Sequence, residues 1–432
     1  MSLLWSKSVM FKTRVQVRSF SRWMGRSLSG ATLALAVAVG TLVTMPEAAS
    51  AQGMRMMTGG MDLSATRMTT RSLEDYSKLL SLDETQKEAA TALLDGYMSA
   101  HKTATEELEG KFEEMQQKAM ESRDWQKMGN ESSKLMVEYQ DKTRKLEEDM
   151  LANLKGLLTP EQTEKWSLVE RSRRREKNLR YGFFSGAAVD LVRVINRNKL
   201  NAGSEEAKQL IEQYETDMDR KLVEFEKMTR EQEEEMRKQA EAGQVDMMSR
   251  MNTIDKFSAP SKDLRDLNKD FVRRLGLAMS EEDRAKLENE FAKRAHPRIY
   301  RESHPQQQFA AALGFSDLDE TQKTTITDLK AQYDRDVKAS NTAWAKATEN
   351  AEDVAGGMVS LMMAQWMPSD KEGVKAAQDE VKKARDARRA VDESFKTRLE
   401  QALKLEQRNR LPARKASNDN PWEMWSQPED DE

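Results

Sequence analysis

The hexapeptide LDETQK occupies residues 82–87, and the same six residues return at 318–323. Leu200 stands midway, 118 residues from Leu82 and from Leu318, and begins the diverged stretch LNAGSEEAKQ. A tyrosine follows each start at nearly the same distance, namely Tyr97, Tyr214 and Tyr333. Recurrence at a fixed period predicts three tandem units of about 118 residues, of which the middle one has diverged.

Each start has the composition of a helix N-terminus. Asp83 and Asp319 are predicted N-caps, and Gln86 and Gln322 stand at N3, from where a side chain reaches back to the cap amide. Ser204 is the predicted cap of the middle unit. A good cap stabilises a helix by about 1 kcal/mol.

A second motif closes each unit. LLTPEQTEKW at 157–166 has Thr159 as the predicted N-cap and Pro160 at N1, and LAMSEEDRAKL at 277–287 offers Ser280. LKLEQRNRL at 403–411 has Lys404 in the cap position, so no sharp helix start is expected there. The predicted capping residues are Leu82, Asp83, Gln86, Leu158, Thr159, Pro160, Gln162, Ser280, Asp319 and Gln322.

Between these motifs, apolar residues recur every three or four positions, which predicts long helices with one apolar stripe. The pattern breaks at SRD (122–124), AGQ (242–244), AGG (355–357) and MPSD (367–370). The predicted fold is all-α and elongated, with tandem long helical hairpins and a short helix before and after each. A thin hairpin must pack on the next unit, on another subunit or on a client.

The first 51 residues predict a secretory signal peptide. A basic region precedes the apolar run ATLALAVAVGTLV (31–43), which is short for a membrane span, and Ala49-Ser50-Ala51 predicts cleavage after Ala51. The protein is therefore expected in the periplasm or outside the cell. The predicted divisions are a signal peptide (1–51), a flexible Met/Gly-rich segment (52–71), repeats at 72–180, 181–303 and 304–412, and a disordered acidic tail (413–432).

Composition excludes several kinds of chemistry. The 432 residues include no cysteine and only three histidines, none of them spaced as helical metal ligands. We find no Gly-rich phosphate loop and no Ser-His-Asp arrangement, so an enzyme and a cofactor are not expected. The net charge of −4 and sparse aromatic residues near the basic clusters argue against nucleic acid as a partner.

The capped motifs resemble the LTxxQ-motif family of periplasmic proteins, the Spy/CpxP group. LTPEQ at 158–162 and LDETQ at 82–86 carry the resemblance, over about 72–180 and 309–412. It implies an all-helical cradle that dimerises and binds unfolded proteins without ATP, or that reports envelope stress or resists metals. Three units in one chain depart from that pattern and put a simple two-chain cradle in doubt.

A basic cluster follows each closing motif. One interpretation is that these cations complement helix dipoles, and the other is that three positive patches attract anionic clients or lipid headgroups, with anionic surfaces as peripheral contacts. The candidate client-binding residues are Arg171, Arg173, Arg174, Arg175, Lys293, Arg294, Arg298, Arg408 and Arg410.

Methionine is abundant, with 27 residues, and Met54, Met56, Met57 and Met61 cluster near the predicted mature N-terminus. Thioethers are soft ligands that suit Cu(I) or Ag(I), whereas elsewhere methionine fills gaps on apolar stripes.

Three hypotheses follow from the sequence. The first is a chaperone-like binding protein for unfolded or envelope proteins, which could also form a homo-oligomer; the others are a structural spacer of the envelope and a metal-responsive envelope protein. Trp422 and Trp425, in the acidic tail, dock on an apolar groove, mark a partner contact, or are two stray aromatic residues of a disordered tail; the sequence leaves these alternatives open.

Overall fold

The computed structural model describes residues 67–179, 182–242, 247–364 and 372–413. The predicted signal peptide, the methionine cluster at 54–61, the MPSD break and the tail from residue 414 lie outside these ranges. The described residues belong to one compact unit of the chain, Thr66–Glu432.

The described chain is all-α, which confirms the predicted fold class at that level. Its first part contains α1 (Thr70–Leu80), α2 (Glu84–Ser122), α3 (Trp125–Gly156), α4 (Pro160–Glu164) and α5 (Trp166–Asn178). Its middle part contains α6 (Leu191–Arg197), α7 (Glu205–Glu241), α8 (Met247–Leu277), α9 (Glu281–Ala295) and α10 (Pro297–Tyr300). The last part contains α11 (His304–Leu313), α12 (Glu320–Ala355), α13 (Met358–Met363), α14 (Val374–Ala402) and α15 (Leu405–Arg408).

Three pairs of long helices dominate this order: α2 with α3, α7 with α8, and α12 with α14. The first pair is antiparallel, because Gln86 at the start of α2 contacts the backbone of Leu157, whereas Thr105 further along α2 contacts Tyr139 of α3. The observed breaks at SRD and AGG coincide with the helix ends at Ser122 and Ala355.

Each pair has its own apolar core, to which the short helix before it contributes. The first core contains Leu73, Tyr76, Leu94, Tyr97, Met150, Leu154 and Trp166. The second contains Leu191, Val194, Tyr214, Met218, Leu222, Phe271, Leu275 and Leu287. The third contains Phe309, Ala312, Ile326, Tyr333, Phe395, Leu399 and Leu403.

The predicted caps lie where the sequence places them. Asp83, Thr159 and Asp319 each accept a hydrogen bond from the N3 backbone amide, and the N3 glutamine reaches back to the cap. Ser280 accepts from the Asp283 amide. The expectation for Lys404 is wrong, because α15 begins directly after it. Gln407 alone supplies the cap there, accepting from the Lys404 amide at 2.9 Å.

The glutamines of the opening and closing caps also bind each other. Gln86 Nε2 donates to Gln162 Oε1 at 2.8 Å, and Gln162 Nε2 donates to Gln86 Oε1 at 2.9 Å. The second amide proton of Gln86 goes to Leu157 O, and that of Gln162 to Ser81 O. Each side-chain oxygen also accepts from its own cap amide. Both amides thus use all their donors and acceptors, and we call this pair the glutamine clasp.

The third unit repeats the clasp with Gln322 and Gln407. Gln322 Nε2 donates to Ala402 O at 2.9 Å and to Gln407 Oε1 at 3.0 Å, and Gln407 Nε2 donates to Asp317 O at 3.1 Å. The middle unit has no glutamine at either position. There the Ser204 hydroxyl donates to Ala278 O at 3.3 Å, a single bond in place of the clasp.

The three corresponding tyrosines have a common role. Their hydroxyls bind the start of the short opening helix of the same unit. The oxygen of Tyr97 accepts from the Met68 amide, that of Tyr214 accepts from the Leu191 amide, and that of Tyr333 bonds the Ser303 hydroxyl. Burial and a hydrogen bond to Asp392 raise the pKa of Tyr333 to about 12, so the phenol keeps its proton.

The predicted boundary at residue 71, between the flexible segment 52–71 and the first repeat, lies several residues too far along the chain. Met68 is 1% exposed, and Thr70 and Arg71 are the first residues of α1. The Thr69 hydroxyl accepts from the Ser72 amide and caps this helix. A second cap thirteen residues before Leu82 is thus the signal that would have placed the boundary correctly.

Replacing Gln162 by Glu is expected to lower the free energy of unfolding by about 1–2 kcal/mol, because a carboxylate cannot donate to Ser81 O or Gln86 Oε1. Gln117→Glu on the exposed face of α2 introduces the same charge without touching the clasp. Urea unfolding followed by circular dichroism measures both variants. Equal effects of the two substitutions would contradict a structural role for the clasp.

Candidate binding surfaces

The first basic cluster lies inside the protein rather than on a free surface. Arg173, on α5, is 4% exposed and pairs with Glu147 of α3 at 2.8 Å and with Glu176 at 3.0 Å. Glu176 in turn accepts from the hydroxyls of Ser72 and Tyr76 on α1. Arg173 therefore joins α1, α3 and α5 through two buried carboxylates.

The next two arginines face the middle unit. Arg174 pairs with Asp219 and with Glu226, both on α7. Arg175 pairs with Asp190, the N-cap of α6, at 3.3 Å and with Glu215 of α7 at 3.0 Å. We call these contacts the first junction.

The expectation of an exposed client-binding patch is therefore wrong for Arg173, Arg174 and Arg175. The two units place acidic residues around a helix whose own sequence is basic. Charge counting along α5 could not reveal this, because all the acidic partners except Glu176 stand 15 to 52 residues away. Arg175 is also in the last turn of α5, which agrees with the alternative interpretation of cations at a helix C-terminus.

The charges in this region depend on one another. Burial by itself would raise the pKa of the Glu147 carboxyl, but the ion pairs with Arg173 and Lys177 outweigh burial and lower this pKa. Glu147 is thus ionised in the folded protein, and its stabilising effect is lost as the pH falls below the carboxyl's ordinary range.

The other two clusters are more exposed. Lys293 pairs with Glu290 on the same helix, Arg294 is half-buried, and Arg298 is exposed. Arg408 donates to Leu403 O, and Arg410 pairs with Asp317 while its guanidinium lies 4.2 Å from the ring centroid of Phe315. Arg171, from the first cluster, is half-buried. These cations are exposed at the surface to different degrees.

A second junction joins the middle and last units through a loop. Glu352 of α12 is fully buried and accepts from the Ser185 amide at 2.9 Å and from its hydroxyl at 2.5 Å. Nearby, the Met358 amide donates to Phe183 O. Gly357 has a φ of 120°, and a Cβ there would lie 2.8 Å from Phe183 O. Only glycine fits this close approach of two backbones.

Two carboxylates one turn apart on α12 respond oppositely to this environment. Burial would raise the pKa of Glu349, but hydrogen bonds from His296 and Lys269 lower it to about 2. Burial raises the pKa of Glu352, and the hydrogen bonds from Ser185 offset this only in part. Glu349 therefore stabilises the fold above the ordinary carboxyl pKa, whereas ionised Glu352 opposes folding.

The apolar stripes are largely used inside the protein. Among the described residues, few large apolar side chains are exposed: Met120, Val223, Leu277, Val354 and Leu405. Leu277 and Leu405 are the most exposed of these, each at 71%.

Leu277 differs from the others because it borders a groove between α8 and α9. The groove has a volume of about 280 Å³ and contains Val272 and Phe291 beside Leu277. Its charged lining residues are Lys269, Arg273, Arg284 and Glu288. An apolar centre with mostly cationic edges is suited to an apolar side chain that has a carboxylate beside it.

Two details shape the cationic edge of this groove. Lys269 and Arg273 each already pair with a carboxylate, Glu349 and Asp270 respectively. A Cβ on Gly276 would lie 2.9 Å from Arg284 Cγ, so glycine lets the Arg284 stem lie against α8. The only local signal of this groove in the sequence is the glycine before an exposed leucine, and it does not show which helix packs beside it.

No group of acidic residues and histidines in the described ranges is arranged to hold a metal ion. The candidate ligands Met54, Met56, Met57 and Met61 lie outside those ranges. Among the described helices, none combines the length and the apolar composition that a membrane crossing needs.

Comparison with models of protein families, with curated proteins and with solved structures finds no match to this chain.

Arg173→Ala is expected to lower the free energy of unfolding by about 3–5 kcal/mol, because Glu147 and Glu176 would keep their burial and lose their cation. Arg171→Ala, two residues earlier on the same helix, is the matched control and should cost far less. Urea unfolding at neutral pH gives both values. If the two variants unfold at the same urea concentration, the buried ion pairs are not the stabilising contacts described above.

Glu352→Gln is expected to stabilise the protein at pH 7, because the amide keeps an acceptor for Ser185 without a buried charge. The advantage should shrink as the pH falls and vanish below the ordinary carboxyl pKa of about 4.5, where the carboxyl is protonated in the folded and unfolded states alike. Thermal unfolding across this pH range tests it. A stability difference between the two proteins that is independent of pH would contradict the claim that the buried charge of Glu352 destabilises the fold.

Proposed function

We propose that this chain is a non-enzymatic helical binding protein of the cell envelope, which holds unfolded or partner proteins in a chaperone-like manner. The observation that carries the proposal is the groove around Leu277. A large apolar side chain is left in water there, beside arginines that attract acidic segments. Apolar contact supplies affinity in such a site, and positive charge speeds capture.

The location in the envelope is supported by the predicted signal peptide. The unit plan is supported by the glutamine clasps of the first and last helix pairs. In the first unit the clasp joins Gln162 of LTPEQ to Gln86 of LDETQ, so both motif glutamines serve the same contact. We therefore interpret the chain as three divergent copies of one capped helical hairpin, with units at 72–180, 181–303 and 304–412, similar to the LTxxQ-motif group.

A structural spacer of the envelope is the second candidate, and a specific observation favours it. The apolar stripes expected to contact clients are mostly buried within the three helix pairs. Two junctions then join the pairs, the first through ion pairs and the second through ion pairs and backbone contacts. In that case Leu277 would be an isolated surface residue.

The test is suppression of the aggregation of an unfolding protein, followed by light scattering at low and moderate salt. The chain from residue 52 to 432 is expected to suppress aggregation at a near-stoichiometric ratio, more weakly at higher salt. Leu277→Ser should raise the amount needed several-fold, because it removes the apolar centre of the groove.

Leu405→Ser is the matched control, since Leu405 is equally exposed but does not line the groove. Both variants should unfold at the wild-type temperature. Loss of suppression in both, or in neither, would remove the groove as the client site. No suppression at any salt concentration would favour the spacer.

A further inference from the structure

The outer face of α14 has a concentration of positive charge that the sequence analysis did not single out. Lys382, Lys383, Arg385 and Arg389 are all exposed, and positions 382, 385 and 389 share one helix face. Arg388, between them, is buried and pairs with Asp392 instead. We call the four exposed residues the α14 basic face.

Two of these four cations have no ion-pair partner within the described part of the chain, and the other two have only weak ones. Lys383 lies 3.7 Å from Glu380, and Arg385 lies 3.7 Å from Asp386, both in weak pairs on the helix surface. Lys382 and Arg389 make no ion pair with a described residue. The α14 basic face therefore remains able to accept a negatively charged partner.

The chain leaves the described structure close to this face. The carbonyl oxygen of Pro412 bonds His304 Nε2 at 2.9 Å, at the start of α11. The preceding Ser303 bonds Tyr333, whose hydroxyl donates to Asp392 of α14. Asp392 is three residues from Arg389 and ten from Lys382, which is about 5 and 15 Å along the helix.

The residues that follow have the opposite charge. Between 416 and 432 there are six acidic residues and no lysine or arginine; the acids are Asp419, Glu423, Glu429, Asp430, Asp431 and Glu432. Asp419 is six residues beyond Ala413 and Glu429 is sixteen. At about 3.3 Å per residue these positions can reach about 20 and 50 Å, so the acids can cover the whole α14 basic face.

We propose that the acidic segment 416–432 docks on the α14 basic face of the same chain. Tethering supplies a high local concentration of the segment, so weak ion pairs suffice. The contact is electrostatic and is weakened by salt. It does not depend on the groove at Leu277, so each can fail without the other.

The experiment is zero-length carbodiimide cross-linking of the chain 52–432 at low protein concentration, with mass spectrometry of the monomer. Amide bonds between acids of 416–432 and Lys382 or Lys383 are expected to dominate. The exposed Lys102 and Lys118, both on α2, serve as reference sites for random coupling. In 0.5 M NaCl the yield at Lys382 and Lys383 should fall toward the reference level.

Arg385→Glu with Arg389→Glu keeps both reporter lysines and should reduce their cross-links to the acidic segment by about fivefold or more, because it replaces attraction with repulsion. Arg220→Glu with Arg335→Glu makes the same charge change on exposed positions of α7 and α12 and should have no such effect. Circular dichroism verifies that both variants fold. Even coupling across all exposed lysines, coupling only between chains, or equal yields in the two double variants would overturn the proposal.

Discussion

In each helical hairpin, the start of the first long helix lies beside the end of the second and the start of the closing helix. The backbone groups left unpaired at these helix ends need hydrogen-bond partners, and the rest of the architecture depends on how they are supplied. Four amides at each helix start lack a partner within the helix. In the first and last units one pair of glutamines caps both starts, binds the facing backbone and joins the two motifs to each other. A local capping rule thus becomes a tertiary contact between residues 76 positions apart. Glutamine suits this position because its amide both donates and accepts, which neither aspartate nor glutamate does when ionised.

The units are joined by two junctions; both contain ion pairs, and the second adds direct backbone contacts. The first is ionic, with arginines of α5 against carboxylates of α7 and the α6 cap, so its strength depends on the burial and number of its pairs. The second is made by a loop whose backbone meets α12 and α13, with Glu352 held by Ser185. Pro260, inside α8, lies between Ser258 and Ser261, whose hydroxyls bind Gly356 O and the Phe183 amide. Helix α8 thus interrupts its own hydrogen-bond pattern where it supports this second junction.

Local signals predicted the helices, the breaks at SRD and AGG and most caps, because capping and periodicity involve residues three or four positions apart. The tyrosines at 97, 214 and 333 were recognised as equivalent, but their hydrogen bonds to the opening helices needed the tertiary structure. The same limit explains the error at Arg173, Arg174 and Arg175. A basic run indicates a solvated face only when nothing acidic packs against it, and sequence spacing does not show which helix will cover which. The groove at Leu277 was missed for the related reason that it forms where two helices meet.

The single Ser204 bond of the middle unit has a consequence for the order in which the protein opens. Local unfolding begins where the fewest contacts must be broken, and here one long hydrogen bond joins the opening and closing motifs, compared with four in the first unit. Amides near Ser204 and Ala278 should therefore exchange with solvent deuterium sooner than those near either clasp. Since the middle unit is bound to a neighbour at both junctions, fraying at its free end need not release the neighbours. The molecule thus combines two outer units whose ends are held by several hydrogen bonds with a central unit whose end opens locally more often.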